Sequence, residues 1–256
     1  MTPRISFQNV SRRFDVGGGG EFLALDRFSL DVGKGEFITV VGPSGCGKST
    51  AMNVAAGLLR PSSGRVLVDG AEVEGPGPER GVIFQQYALF PWLTVRENVE
   101  FGLRVASMPG RQRREIADHF IALVGLRDFA GALPKTLSGG MKQRCAIARA
   151  YAVNPKILLM DEPFGALDAL TRVNLQDQLL RTWSQERRTV MFITHDVDEA
   201  VYLGSRVIVM AARPGRLYRV IPVDLPYPRT EEIRLSPEFA TLRNEVWRSV
   251  YHPAPA

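Results

Sequence analysis

The chain has 256 residues, enough for one large α/β domain or one domain with a small insert, and 45% of them are hydrophobic, the ordinary content of a protein with a buried core. Its 32 Lys and Arg against 27 Asp and Glu leave a formal charge of +5, which either spreads over solvated helix faces or favours acidic partners. No apolar run reaches the roughly 18 residues of a membrane span, the 2 Cys and 3 His suggest neither a disulfide framework nor a zinc cluster, and residues 1–10 carry no basic-then-apolar export signal, so membrane attachment is expected to go through another protein.

Residues 5–10 and 23–32 alternate apolar and polar side chains, as half-buried antiparallel strands do, with the glycines at 17–20 as a turn between them. A turn at Gly33-Lys34-Gly35-Glu36 leads into 37–41, a short apolar run that suits a strand buried on both faces of a parallel sheet. Helical periodicity over 48–58, a Pro61-Ser62-Ser63-Gly64 turn and a strand at 65–68 follow. The chain then becomes helical and basic: Thr94 and Glu97 have the spacing of a capping box, and a second helix covers 111–124. Helices at 140–153, 168–187 and 196–203 then alternate with strands at 156–160, 189–194 and 206–210, the order of a mainly parallel sheet covered by helices. Ser236-Pro237-Glu238 opens a last helix with Phe239, Leu242, Val246 and Val250 on one face. The predicted organisation is an α/β domain at 4–236 with a helical insert at about 86–135, then a short helical tail at 237–256.

Gly42-Pro43-Ser44-Gly45-Cys46-Gly47-Lys48-Ser49-Thr50 fits G-x-x-x-x-G-K-[ST] between a buried strand and a helix. Glycines let successive backbone N–H groups converge on a phosphate chain, and the helix adds the positive end of its dipole. Lys48 would place an ammonium on the outer phosphates, and Ser49 would offer Mg²⁺ a hydroxyl. The strand before Asp161-Glu162 puts two carboxylates at its C-terminal edge, where open parallel sheets bind ligands. Alone, such a pair is more often a solvated turn; downstream of a P-loop, Asp161 suits holding Mg²⁺ through a water and Glu162 polarising the attacking water.

Leu137-Ser138-Gly139-Gly140-Met141-Lys142-Gln143-Arg144 resembles the signature of ATP-binding-cassette (ABC) ATPases. In physical terms Ser138 would cap a helix while Gly139 and Gly140 leave its first amides open, a second anion site. The resemblance implies a P-loop NTPase core of mainly parallel sheet, an N-terminal antiparallel β subdomain and an inserted α-helical subdomain. It implies that ATP sits between the P-loop of one copy and Ser138, Gly139, Gly140 and Asp168 of another, although Asp168 also suits a plain helix cap. It assigns adenine stacking to Phe14, where the family usually has Tyr, contact with Mg²⁺ and the attacking water to Gln85, and a γ-phosphate hydrogen bond to His195. The aromatics at 87–92 read either as a partner surface or as core of the insert.

The same resemblance implies a homodimer working with integral membrane permease subunits and, indirectly, a periplasmic or lipid-anchored solute-binding protein. The chain would then lie peripherally on the cytoplasmic face of the inner (plasma) membrane. Residues 90–103 and 210–217 are similar to the nitrate/sulfonate/taurine importer subfamily, so an oxyanion is the expected solute. The alternative is a soluble ABC ATPase acting on nucleic acid or ribosomes. That class usually carries paired cassettes, a long coiled coil or a zinc-bearing insert, which this sequence does not show, and no nucleic acid is expected.

Overall fold

The computed structural model describes residues 2–17 and 20–252, so Gly18 and Gly19 of the expected 17–20 turn lie outside the described residues. Two compact units are formed, one from Met1–Gly77 with Asp177–Ala256 and the other from Pro78–Gln176.

The first unit opens with β1 (Ile5–Asp15) and β2 (Glu21–Val32), paired antiparallel. Both run longer than the alternation predicted, so that Phe14 lies within a strand. Ile5, Phe7 and Val10 are buried, and Phe7 meets Phe28 edge-on with ring centroids 5.2 Å apart. β3 (Phe37–Val41) has the predicted bounds and is buried at every residue. α1 (Lys48–Ala56) stops short of the predicted 58 because Gly57 turns left-handed at φ 76, where a Cβ would lie 2.1 Å from the Gly75 carbonyl oxygen. β4 (Ser63–Val68) takes in part of the expected turn, with Gly64 at φ 74. β5 (Ala71–Glu72) closes an antiparallel sheet of order β2-β1-β4-β5, the expected N-terminal β subdomain.

In the second unit β6 (Arg80–Ile83), which no apolar pattern announces, pairs parallel with the strand before the Asp-Glu motif. α2 (Val95–Val105) starts on the predicted capping box: Thr94 Oγ1 accepts from Glu97 N at 3.2 Å, and Glu97 Oε2 accepts from Thr94 N at 2.7 Å. α3 (Gly110–Leu123), α4 (Gly139–Ala152) and β7 (Ile157–Asp161) match the predicted order within a residue or so at each end. The unit ends inside α5 (Ala169–Glu186).

The chain then completes the first unit with β8 (Thr189–Ile193), α6 (Val197–Leu203), β9 (Arg206–Ala211), β10 (Arg216–Pro222), α7 (Glu231–Arg234) and α8 (Pro237–Tyr251). β3 lies between β8 and β9 and runs parallel to both, as its continuous apolar face requires. β10 joins β9 antiparallel; only Ile221 of its side chains is buried, so no hydrophobic run marked it in the sequence. Ser236 caps α8 as predicted, accepting from Phe239 N at 3.2 Å, and Phe239 and Val246 are buried.

Candidate nucleotide site

In the first unit the loop between β3 and α1 is pressed against its neighbours so closely that only glycine fits. A Cβ on Gly42 (φ 156) would lie 2.6 Å from the Met210 carbonyl oxygen and 2.8 Å from Cys46 Sγ. One on Gly47 (φ 89) would lie 2.8 Å from the Ala24 carbonyl oxygen and 2.8 Å from Leu25 Cδ2. Pro43, Ser44 and Gly45 form the exposed rim. Gly47 caps α1 without a side-chain hydrogen bond, so no side chain competes for the amides of the first turn.

Lys48 is buried, and its Nζ donates to the carbonyls of Gly42 at 2.8 Å and Pro43 at 3.2 Å, spanning the loop from inside. The buried Cys46 thiol lies 3.8 Å from the same ammonium; burial pushes its pKa up, and the Lys48 charge partly opposes this. Ser49 is exposed and Thr50 half-buried in the first turn of α1. These features suit a phosphate chain and a hard cation: a Cβ-free cradle, converging amides, a lysine and an accessible hydroxyl.

Phe14 and His195 belong to the same unit. Phe14 is half-buried on β1, opposite Phe22, with the Arg12 guanidinium 4.7 Å from its ring centroid. His195 is exposed just beyond β8, next to Asp196, which caps α6 by accepting from Glu199 N at 3.0 Å.

The second unit gathers the other predicted residues. Parallel pairing puts Ile83 opposite Met160, so the residues leaving β6 and β7 emerge side by side. Gln85 Nε2 donates to Glu162 Oε2 at 3.1 Å, while Asp161 is buried at the end of β7. Glu162 holds φ 46, a left-handed conformation that costs a non-glycine residue about 1–2 kcal/mol and turns the chain as it leaves the strand.

Ser138 caps α4 as the sequence indicated, its Oγ accepting from Met141 N at 3.3 Å, with Gly139 and Gly140 in the first turn. A Cβ on Gly140 would meet Leu167 Cδ2 at 3.3 Å. Asp168 serves as a helix cap: its Oδ1 accepts from Thr171 N at 2.9 Å, and the hydrogen bonds from Thr171 hold its carboxyl below the usual range.

Three residues of this unit escaped the sequence reading in whole or part. Asn98 is fully buried among core positions of α2; it accepts from Phe90 N at 2.8 Å and donates to the carbonyls of Phe90, Leu93 and Thr94 at 3.1, 2.9 and 3.0 Å. Its signal was a polar residue inside the apolar stripe of Val95, Val99 and Leu103. Arg149 donates to the Ala88 carbonyl at 2.7 Å, and Tyr87 Oη lies against Gly139. The aromatic segment divides between its two readings: Phe90 packs on Phe101 at 4.3 Å between centroids, and Trp92 is 72% exposed.

A glycine-bound lysine at a helix start after a buried strand defines a P-loop nucleotide-binding protein. The family model described as ABC transporter matches residues 25–165. An ATP-binding protein of Brucella abortus (strain 2308) is 75% identical over 100% of this chain and 96% of its own length. The taurine import ATP-binding protein of Roseobacter denitrificans is 45% identical over 96% of this chain and 94% of its own. The bicarbonate transport ATP-binding protein of Synechococcus elongatus is 46% identical over 96% of this chain and 38% of its own. The dimeric post-hydrolysis structure of the ATP-binding cassette MJ0796, bound to ADP and Pi, is similar with a TM-score of 0.80 at 34% identity, covering 87% of this chain and 100% of that one. The chain belongs to the ABC transporter family of ATP-binding subunits, and it is an ATPase. Among the described residues no helix is long and apolar enough to cross a membrane.

Proposed function

We propose that this chain hydrolyses ATP as a homodimer to energise a membrane importer through separate permease subunits, with a taurine- or bicarbonate-like small oxyanion as solute. The observation that carries the catalytic part is the Gln85–Glu162 hydrogen bond at the ends of two paired parallel strands. It presents a carboxylate and an amide together, the pair needed to orient a water and accept its proton as that oxygen attacks the γ-phosphorus and the bond to the β-phosphate oxygen breaks.

Loop amides and Lys48 bind the phosphates, Phe14 stacks on the base and His195 donates to the γ-phosphate. Mg²⁺, when bound, supplies charge neutralisation along the phosphates; Ser49, Asp161 and Gln85 each offer it a hard oxygen, directly or through water. Ser138, Gly139 and Gly140 of a second copy read the γ-phosphate from the other side through the open helix start, and Asp168 lies at the same subunit contact. Loss of the γ-phosphate removes those contacts, so hydrolysis opens the pair.

The importer role is supported by the taurine and bicarbonate relatives and by the exposed Trp92 beside the Gln85 loop, a surface of the kind a permease would cover. That role places the chain on the cytoplasmic face of the membrane, and a solute-binding protein outside it selects the cargo. The test is Glu162→Gln: it is expected to bind ATP, accumulate as an ATP-dependent dimer and lose nearly all turnover. Normal hydrolysis by this variant refutes the catalytic assignment. Native membrane pull-down should recover a permease; hydrolysis stimulated by nucleic acid instead would overturn the importer reading.

A further inference from the structure

We propose that Tyr87 and Arg149 join the loop after Gln85 to helix α4 as one mechanical piece, with the Tyr87 hydroxyl setting the position of Gly139. This rests on the nucleotide roles proposed for Gln85 and for Ser138–Gly140. The contacts come from both ends of the helix. At its start, the site of a Cβ on Gly139 lies 2.9 Å from Tyr87 Oη and 3.9 Å from Tyr87 Cζ, so the hydroxyl rests where any larger residue would put its side chain.

Nearer its other end, Arg149 reaches back to the same loop, donating to the Ala88 carbonyl at 2.7 Å and to the Tyr87 carbonyl at 3.5 Å. Its guanidinium also lies 5.7 Å from the centre of the Phe90 ring. About 15 Å of helix separates Gly139 from Arg149, and residues 87–88 of the loop contact both.

The Arg149 grip is strong for a reason of solvation. Burial pushes its pKa down, and among the described residues no carboxylate pairs with it, so its hydrogen bonds go to loop carbonyls. Pulling residues 87–88 away would leave a half-buried cation short of its carbonyl acceptors, a cost that favours keeping loop and helix together. Asn98 extends the same piece by holding residues 90–94 through its four hydrogen bonds. A push on the exposed Trp92 would therefore reach the amides after Ser138 as a rigid displacement, beside any path through the Gln85 side chain.

Tyr87→Phe is the discriminating variant, because it keeps the ring and removes only the hydroxyl. In the Glu162→Gln background, ATP binding to the dilute monomer should stay within about twofold while ATP-driven dimerisation, followed by analytical ultracentrifugation, weakens about tenfold. Arg149→Met should do the same more severely, and Arg149→Lys should recover part of the loss, since an ammonium still reaches one carbonyl.

The contact itself is read by a double-mutant cycle on thermal stability. Gly139→Ala should lower the melting temperature with Tyr87 present and much less in the Tyr87→Phe background, where the nearest remaining atom is at 3.9 Å. Unchanged dimerisation by Tyr87→Phe, or no coupling in the cycle, overturns the proposal. If Glu162→Gln alone fails to dimerise with ATP, the nucleotide roles fall first and this inference with them.

Discussion

Asn98→Asp is nearly isosteric and tests how the loop before α2 is held. The Asn98 amide makes three donor hydrogen bonds to the carbonyls of Phe90, Leu93 and Thr94, and its oxygen accepts from Phe90 N, all at a fully buried position. A carboxylate keeps the accepting role but faces three carbonyl oxygens with no proton to give. The amide nitrogen has two protons, which the three carbonyls share; at about 1 kcal/mol for each lost hydrogen bond, the loss is about 2 kcal/mol before any charge is buried. Burial and the surrounding oxygens favour the protonated acid, raising the folded-state pKa above its unfolded value near 4.

For a raised pKa, the variant binds its proton more tightly when folded, so its relative stability is highest at low pH and is lost as pH rises. The stability gap to the parent should widen by about 1.4 kcal/mol per pH unit above the unfolded pKa until the buried acid ionises. Urea denaturation of parent and variant at several pH values between about 5 and 8 measures the gap. A gap that stays below about 1 kcal/mol and does not change with pH would refute the account of Asn98 as the organiser of residues 90–94.

Gly47→Ala combines a positive φ with a Cβ 2.8 Å from the Ala24 carbonyl oxygen and should cost about 2–5 kcal/mol, read from the urea midpoint, with loss of ATP binding. Ser138→Arg should leave ATP binding to the monomer intact and abolish hydrolysis, because the bulk and charge disturb the α4 start proposed to meet the partner's nucleotide; equilibrium dialysis and phosphate release separate the two effects. Neither cysteine should react readily with iodoacetamide near neutral pH in the folded protein, since burial raises the Cys46 pKa and pushes that of Cys145 to about 12. Both should become reactive in urea, and rapid native labelling would contradict their burial.

Most of the fold was legible because its signals are local. The Phe37–Val41 strand declares itself by five consecutive apolar side chains, and the start of α2 by a serine-like hydroxyl and a glutamate at capping distance. The phosphate loop is a run of glycines around one lysine, and Ser138 announces the α4 cap in the same way. β6 and β10 were not legible, because a four-residue strand and a mostly exposed edge strand carry no pattern longer than chance provides.

The identities of Lys48, Gln85, Glu162 and Ser138 were therefore available from order and spacing along the chain, since motif chemistry depends on neighbours in sequence. The Gln85–Glu162 hydrogen bond, the four contacts of Asn98, and the contacts of residues 87–88 with Gly139 and Arg149 of α4 were decided only by tertiary structure. Each joins residues separated along the chain, and the pairing of β6 with β7 and the packing of α2 on α4 set those distances. A linear pattern records which groups are present; the register of strands and the seating of helices determine which of them can touch.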